Sequence, residues 1–130
     1  MEYLFSFLLI AIVVAPVLLY NFPLVRVHDI SMFPTYKDGQ WLLSRRLKYG
    51  GHISDTIEIG KVYVFLDPHP AYDGKMLIKR CVGFDTVSGT FIFMGDNREH
   101  SRDSRDFGGI DIQNIVAEVL FSKKEIDCYE

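Results

Sequence analysis

The chain has 130 residues and a mass of 15.0 kDa, which allows one compact core, because a chain of this size buries about two thirds of its surface on folding. Its net charge of -3 and isoelectric point of about 5.8 provide no excess of cations for a phosphate backbone, so we expect no nucleic-acid partner. The composition also excludes collagen-like, coiled-coil and disordered chains. The mean hydropathy of +0.11 is high for a chain in which 24% of the residues are charged. This average indicates one strongly apolar region and one polar region.

The first of these regions is residues 3–25, which contain no charged side chain. As a helix, about 23 residues rise roughly 35 Å, enough to span a bilayer. A cleavable secretory signal is the alternative, but such a signal has a small-x-small cleavage site after its apolar core. Here residues 20–23 read Tyr-Asn-Phe-Pro, which does not fit that pattern. We therefore predict an uncleaved, single-pass transmembrane anchor over residues 1–25, kinked at Pro16. The flanking charges do not decide its orientation.

Residues 26–130 contain no repeat and no low-complexity linker, so we expect one domain. Its apolar runs are short and rich in β-branched and aromatic residues, which is typical of strands. The predicted strands are residues 41–43, 62–66, 76–82, 90–94 and 115–121. Turn-forming residues separate them, and we predict a small all-β domain after one transmembrane helix. Residues 110–120 also fit a short helix, but we favour the strand.

We predict no metal site and no other cofactor. Cys81 and Cys128 match no zinc spacing, and the sequence leaves open whether they form a disulfide. An acidic cluster is the competing candidate for a cation, but interleaved arginines oppose a cation there and the EF-hand spacing is absent. That cluster consists of Asp96, Asp103, Asp106 and His100.

One lysine occupies an unusual place in a predicted strand. Alternation puts Lys79 on the same face as Leu77 and Cys81. A structural explanation is a side chain on an edge strand that extends its amine to solvent. The functional explanation is a desolvated lysine whose lowered pKa leaves a neutral amine able to act as a base.

Three segments, in this order, resemble the motifs of the type I signal peptidase family, which are membrane-anchored serine proteases with a Ser/Lys dyad. Residues 31–35 match the family's S-M-x-P-T, and Lys79-Arg80 followed by Val82-Gly83 matches its K-R segment. Residues 95–105 match G-D-N-R-x-x-S-x-D-S-R without a mismatch. The family's anchor corresponds to the apolar N-terminal segment, so the resemblance covers most of the chain.

The resemblance implies a role for each matching polar residue. Ser31 is expected to be the nucleophile and Lys79 its general base, with Ser101 hydrogen-bonded to the lysine amine. Arg80, Asp103 and Arg105 are expected to brace the site. It also implies signal peptides of exported preproteins as substrates, the lipid bilayer as a partner, and a catalytic domain on the extracytoplasmic side of the cell membrane.

The dyad is also chemically reasonable without the family. A serine hydroxyl needs an adjacent base to become a good nucleophile, and no histidine lies in a strand comparable to that of Lys79. The four histidines are at positions 28, 52, 69 and 100. A lysine can serve as the base only when it is unprotonated, and burial favours that form.

Two departures from the family leave an alternative function open. Asp29 stands two residues before Ser31, where many relatives have serine, threonine or glycine and, in some, the hydroxyl helps hold the oxyanion. A carboxylate cannot donate that hydrogen bond, so the oxyanion would depend on the Ser31 backbone N–H and a donor not yet identified. Residues 84–94 form only a short hairpin where most bacterial relatives have an insertion.

The alternative is a non-cleaving assembly factor or chaperone of the same fold, which would bind exported subunits such as pilins with a secretion or pilus-assembly partner. Asp29 and the missing insertion favour it. The presence of both Ser31 and Lys79 favours the enzyme, which we prefer. A third interpretation, an unrelated β-rich binding module, would require three accidental motif matches.

Overall fold

The computed structural model describes residues 1–50 and 55–122, which form one N-terminal helix and a six-stranded antiparallel sheet. The helix α1 is Glu2–Asn21, and the strands are β1 Leu24–Arg26, β2 Trp41–Arg46, β3 Val62–Leu66, β4 Met76–Asp85, β5 Thr90–Met94 and β6 Ile115–Val119. Their order in the sheet is β1-β2-β6-β3-β4-β5. The short helix α2 is Ser104–Phe107, and single 3-10 turns occur at Pro70–Tyr72, Arg98–His100 and Ile112–Asn114. The predicted fold class, mainly β after one N-terminal helix, is confirmed.

Helix α1 has no buried residue and contains Pro16 in its interior. Within the described part of the chain it is the one helix that is long and apolar enough to cross a membrane. It ends at Asn21, before the end of the apolar segment at Val25, because Phe22 precedes Pro23 and the residue before a proline disfavours helical backbone.

The end of α1 is attached to the sheet by polar contacts. Arg46 Nε donates to the Tyr20 carbonyl oxygen over 3.0 Å, and the Arg46 guanidinium lies 4.6 Å from the centroid of the Tyr20 ring. Ser44 Oγ donates to the Pro23 carbonyl oxygen over 2.6 Å. These bonds fix where the chain leaves the helix and enters β1.

All five predicted strands are present, and each begins at the predicted residue. Strands β2 and β4 continue three residues further than predicted, to Arg46 and Asp85, while β6 ends at Val119. The sequence did not predict β1, because three residues inside an apolar segment show no alternation. The helical alternative for residues 110–120 is wrong beyond one 3-10 turn, since β6 pairs with both β2 and β3.

Strand β3 is buried on both faces and separates two apolar clusters. Val62 and Val64 pack on one face with Met32 and Tyr36 of the segment that joins β1 to β2. The other cluster contains Tyr63 and Phe65 of β3 and Phe93 of β5, and it includes Cys81. Cys81 is buried with a free thiol, whereas Cys128 lies outside the described residues, so the disulfide question is not addressed.

Candidate active site

Ser31 lies in the irregular segment between β1 and β2, and the core holds this segment in place. Its neighbour Met32 is 1% exposed and accepts a 2.9 Å hydrogen bond from Tyr36 N–H at its carbonyl oxygen. Ser31 itself is buried. An irregular segment can carry a buried serine in a defined position because Met32 and Tyr36, which follow it, pack with Val62 and Val64 of β3.

Lys79 is the residue that β4 brings to Ser31. It pairs with Tyr63 in the β3–β4 ladder, its side chain is 3% exposed, and its Nζ lies 2.5 Å from Ser31 Oγ. The two residues are 48 positions apart in the sequence. The structure therefore places the predicted nucleophile and the predicted base in direct contact.

The surroundings of Lys79 favour its neutral form. Burial lowers the pKa of the Lys79 amine below its ordinary value, and the positive charges of Arg102 and Lys75 lower it further. The carboxylates of Asp29 and Asp103 act in the opposite direction but do not compensate for burial. A lower pKa increases the fraction of neutral amine at a given pH, and it is the neutral amine that can accept a proton from the adjacent serine hydroxyl.

Arg80, the next residue of β4, braces the nucleophile segment through Asp96. Its Nε and Nη2 donate to the two carboxylate oxygens of Asp96 over 2.9 and 2.7 Å, and Thr35 Oγ1 donates to the same carboxylate. Burial raises the pKa of Asp96, but the hydrogen bonds from Arg80 and Thr35 outweigh it and hold that pKa below its ordinary value. The predicted supporting role of Arg80 thus has a structural basis.

Asn97 holds the backbone of the nucleophile itself. Its N–H donates to the Ser31 carbonyl oxygen over 2.9 Å, and its Nδ2 donates to the Ile30 carbonyl oxygen over 3.0 Å. Thr35, Asp96 and Asn97 lie in the quoted motifs, but none of them was predicted to support the nucleophile, and Asp96 was considered only as a candidate ligand of a cation. Their signal was the motif match alone, since nothing in local spacing shows that residues 95–97 meet residues 30–35.

Asp103 and Arg105 brace the turn of residues 95–105 rather than the dyad directly. Asp103 is fully buried and accepts hydrogen bonds from Gly95 N–H over 3.0 Å and from Arg105 Nε and Nη2 over 2.9 Å each. Burial raises the pKa of Asp103, but the bonds from Arg105 and Gly95 outweigh it and keep the pKa below its ordinary value. A buried carboxylate therefore ties the two ends of this turn together.

Ser101 does not make the contact that the resemblance implies. Its Oγ is buried, and no hydrogen bond joins it to the Lys79 amine in this structure. Ser101 nevertheless lies close to the nucleophile segment. A Cβ at position 95 would come within 2.2 Å of Ser101 Oγ and 2.5 Å of the Ser31 carbonyl oxygen, so glycine at 95 is what permits this approach.

The Ser31 backbone N–H is also hydrogen-bonded, to a side chain that was not expected to contact it. It donates to Asp29 Oδ1 over 2.8 Å. Asp29 has a φ of 79°, in the left-handed region that non-glycine residues adopt infrequently. Its own N–H donates to Asp38 Oδ1 over 3.0 Å. The expected oxyanion donor is thus occupied by a carboxylate.

A cleft of about 580 Å³ opens over the dyad. Residues 25–29 form one wall, and residues 75–79, which include Lys79, form the other. Ser31 also lines the cleft. Among the described residues, β1 forms its ladder with β2 on one side, and β4 pairs with β5 only from Arg80 onward. The strand residues in both walls therefore have one edge without a partner strand in that part of the chain.

Two other kinds of site were considered from the sequence, a histidine base for Ser31 and a metal site, and neither arrangement occurs among the described residues. None of the histidines at 28, 69 and 100 hydrogen-bonds to Ser31 in that part of the chain, and His52 lies outside it. No group of three potential metal-ligating side chains occurs there either. Asp96 and Asp103, two members of the acidic cluster, are instead bonded to Arg80 and Arg105.

Comparison with known families gives a match that covers most of the chain. The model of a family described as signal peptidase, peptidase S26, matches residues 1–87 and 85–123. The match includes α1, the nucleophile segment, β4 and the turn of residues 95–105. A search of curated proteins found no significant match.

Gly95→Ala is predicted to disrupt the site, because the new methyl group would overlap the Ser31 carbonyl oxygen, which is backbone and cannot rotate away. We expect a loss of about 1 to 3 kcal/mol in the free energy of unfolding, measured by urea denaturation in detergent micelles. Gly83→Ala is the matched control, since a Cβ at position 83 meets no atom within 4 Å. Equal stability of the two variants would contradict this close packing.

Proposed function

Because the chain belongs to the signal peptidase family, we propose that it is a membrane-bound serine endopeptidase that removes N-terminal signal peptides from exported preproteins. The observation that carries the proposal is the 2.5 Å contact between Ser31 Oγ and the buried Lys79 amine. A serine next to a desolvated lysine is a nucleophile with its own base. The proposal needs no metal and no other cofactor.

Acylation begins with proton transfer within the dyad. The neutral Lys79 amine takes the proton of Ser31 Oγ–H while Oγ attacks the scissile carbonyl carbon, and the carbonyl electrons move onto the oxygen. Collapse of this tetrahedral intermediate breaks the C–N bond, and the Lys79 ammonium gives its proton to the leaving amine. The signal peptide is then an ester of Ser31, and Lys79 is neutral again.

Deacylation uses the same lysine a second time. Lys79 takes a proton from a water molecule as that water attacks the ester carbonyl, and the proton passes to Ser31 Oγ when the ester bond breaks. Both steps need Lys79 unprotonated at the start. Burial of the amine thus serves acylation and deacylation equally.

The cleft suits an extended peptide. Its two walls have unpaired strand edges, so a substrate strand can hydrogen-bond to the backbone on both sides. Val25 and Val27 on one wall and Met76 and Ile78 on the other give it an apolar lining, which suits the uncharged residues of a signal peptide.

The anchor determines where such a site would work. With α1 in the bilayer and its end bonded to Arg46 and Ser44 of β2, the sheet lies close to the membrane surface. We propose that the domain faces the extracytoplasmic side of the cell membrane, where the cleavage sites of membrane-held preproteins emerge.

The first test is cleavage of a preprotein with an Ala-x-Ala exit by purified protein in lipid vesicles. Ser31→Ala and Lys79→Ala should each lower the rate by at least about 1,000-fold, and the double variant should be no worse than either, because neither half of a dyad acts alone. The matched controls Ser88→Ala and Lys37→Ala change exposed residues and should cleave normally.

The same assay separates the enzyme from the alternative of a non-cleaving assembly factor. The bond between Asp29 and the Ser31 N–H is the observation that favours this alternative, because it occupies an oxyanion donor. Binding of the preprotein without cleavage, unaffected by Ser31→Ala, would support the assembly factor and contradict the peptidase.

The pH dependence follows from the lowered pKa of Lys79. The neutral amine accumulates as the pH rises through that pKa, so kcat/KM should rise with pH along a limb that lies below the ordinary lysine value of about 10.4. Lys79→Arg should be inactive at every pH, since a guanidinium stays protonated. A flat profile between about pH 5 and 10, or turnover by Lys79→Arg, would exclude lysine as the base.

A further inference from the structure

The bond from the Ser31 N–H to Asp29 Oδ1 concerns the same site and has a consequence for its reaction. The backbone N–H of a nucleophilic serine lies next to the carbonyl that its Oγ attacks, and it is a regular donor to the oxyanion that forms. In this chain that N–H already donates to an anion. Two negatively charged oxygens cannot share the donor, so the carboxylate and the oxyanion compete for it.

We propose that Asp29 is an inhibitory residue of this site: its carboxylate occupies the Ser31 N–H in the resting protein and must leave before the oxyanion can form. This inference rests on the proposed peptidase function, whose regulation it describes. Asp29 would act by holding the oxyanion donor, not by contact with the proton that Lys79 transfers.

The surroundings of Asp29 allow the carboxylate to leave. Asp29 is exposed, so its carboxylate can rotate into water without loss of solvation. Its backbone is held separately, by the bond from its N–H to Asp38 Oδ1. A side-chain rotation therefore suffices, and the Ser31 segment need not refold. Asp29 also lines the cleft, where an entering peptide would meet it.

Asp29 has a second, electrostatic effect on the dyad. Four charged groups act on the Lys79 amine: Asp29 from the nucleophile segment, Asp103 and Arg102 from the turn of residues 95–105, and Lys75 from the start of the β4 wall. Of these, the two carboxylates raise the Lys79 pKa and the two cations lower it. Removing the Asp29 charge should therefore move the acid limb of the rate profile to lower pH.

Two substitutions at position 29 separate the hydrogen bond from the charge. Asp29→Gly removes both, and glycine accepts the φ of 79° without strain. Asp29→Asn removes the charge and keeps a side-chain oxygen that can accept from the Ser31 N–H. Glu99→Gln is the control, since it neutralises an exposed carboxylate in the turn of residues 95–105.

The experiment measures kcat/KM against pH for these full-length variants in lipid vesicles with one preprotein. Asp29→Gly should raise the plateau by about tenfold, the size expected when a charge-assisted hydrogen bond no longer has to be broken, and should move the acid limb to lower pH. Asp29→Asn should move the limb as well but raise the plateau less than Asp29→Gly does, because the Ser31 N–H keeps an uncharged, weaker acceptor. A plateau for Asp29→Gly at or below that of the wild type would overturn the proposal, because it would give Asp29 a supporting role.

A second measurement does not need turnover. In protein labelled with ¹⁵N-serine, the Ser31 amide resonance is identified by its absence from Ser31→Ala. Its chemical shift should change in Asp29→Gly, because the hydrogen bond to Asp29 Oδ1 is lost, and should stay the same in Glu99→Gln. An identical shift in the wild type and in Asp29→Gly would overturn the resting contact.

The two measurements also distinguish the failure of this inference from failure of the proposed function. If no variant cleaves in a Ser31-dependent way, the peptidase itself is wrong and the inference falls with it, whatever the amide resonance does. If cleavage depends on Ser31 while Asp29→Gly is no faster, the peptidase stands and the inhibitory role of Asp29 is wrong.

Discussion

The contact between Ser31 Oγ and the buried Lys79 amine is the interaction on which the rest of the site depends. A lysine in water is protonated and cannot accept a proton, so the contact has chemical value only if the protein keeps the amine away from solvent. Strand β4 does this by pairing Lys79 with Tyr63 of β3, a strand buried on both faces. The position of Lys79 beside this central strand thus contributes to the burial that lowers the pKa of the base.

The second requirement is a nucleophile that stays in place although it lies outside regular structure. Asn97 bonds to the backbone of residues 30 and 31, and Asp96 joins Thr35 to Arg80. Because Arg80 follows Lys79 directly, the base and the brace of the nucleophile segment come from adjacent positions on one strand. Glycine at position 95 lets this turn approach Ser31 without a steric clash.

How far the sequence could predict this structure depended on the range of the interactions. Strands β2 to β6 were predictable because their apolar runs and the turn residues between them are local, and alternation along β4 marked Lys79 as inward-facing. Strand β1 was missed since its apolar residues continue those of the helix. The partner of the Ser31 N–H and the missing hydrogen bond between Ser101 Oγ and the Lys79 amine depend on backbone angles and on packing between distant segments, which spacing does not encode.

Asp29 opposes the chemistry of the dyad in two ways. The Asp29 carboxylate raises the pKa of Lys79, which burial lowers, and it accepts a hydrogen bond from the Ser31 N–H, a donor that acyl transfer requires. Family membership and the dyad contact support a peptidase, and under our proposal the Asp29 bond restrains that peptidase in its resting state. Both statements depend on Lys79 being unprotonated when the site is used.

The most direct test of that condition is titration of the Lys79 amine itself. NMR of protein labelled with ¹⁵N at the lysine Nζ, with Lys79→Arg to identify the resonance, reports its protonation without any substrate. We predict that Lys79 titrates below the ordinary lysine value of about 10.4, while exposed lysines titrate near it. A Lys79 amine that titrates at or above that value would contradict the account, since the contact with Ser31 would then join a serine to an ammonium that cannot act as its base.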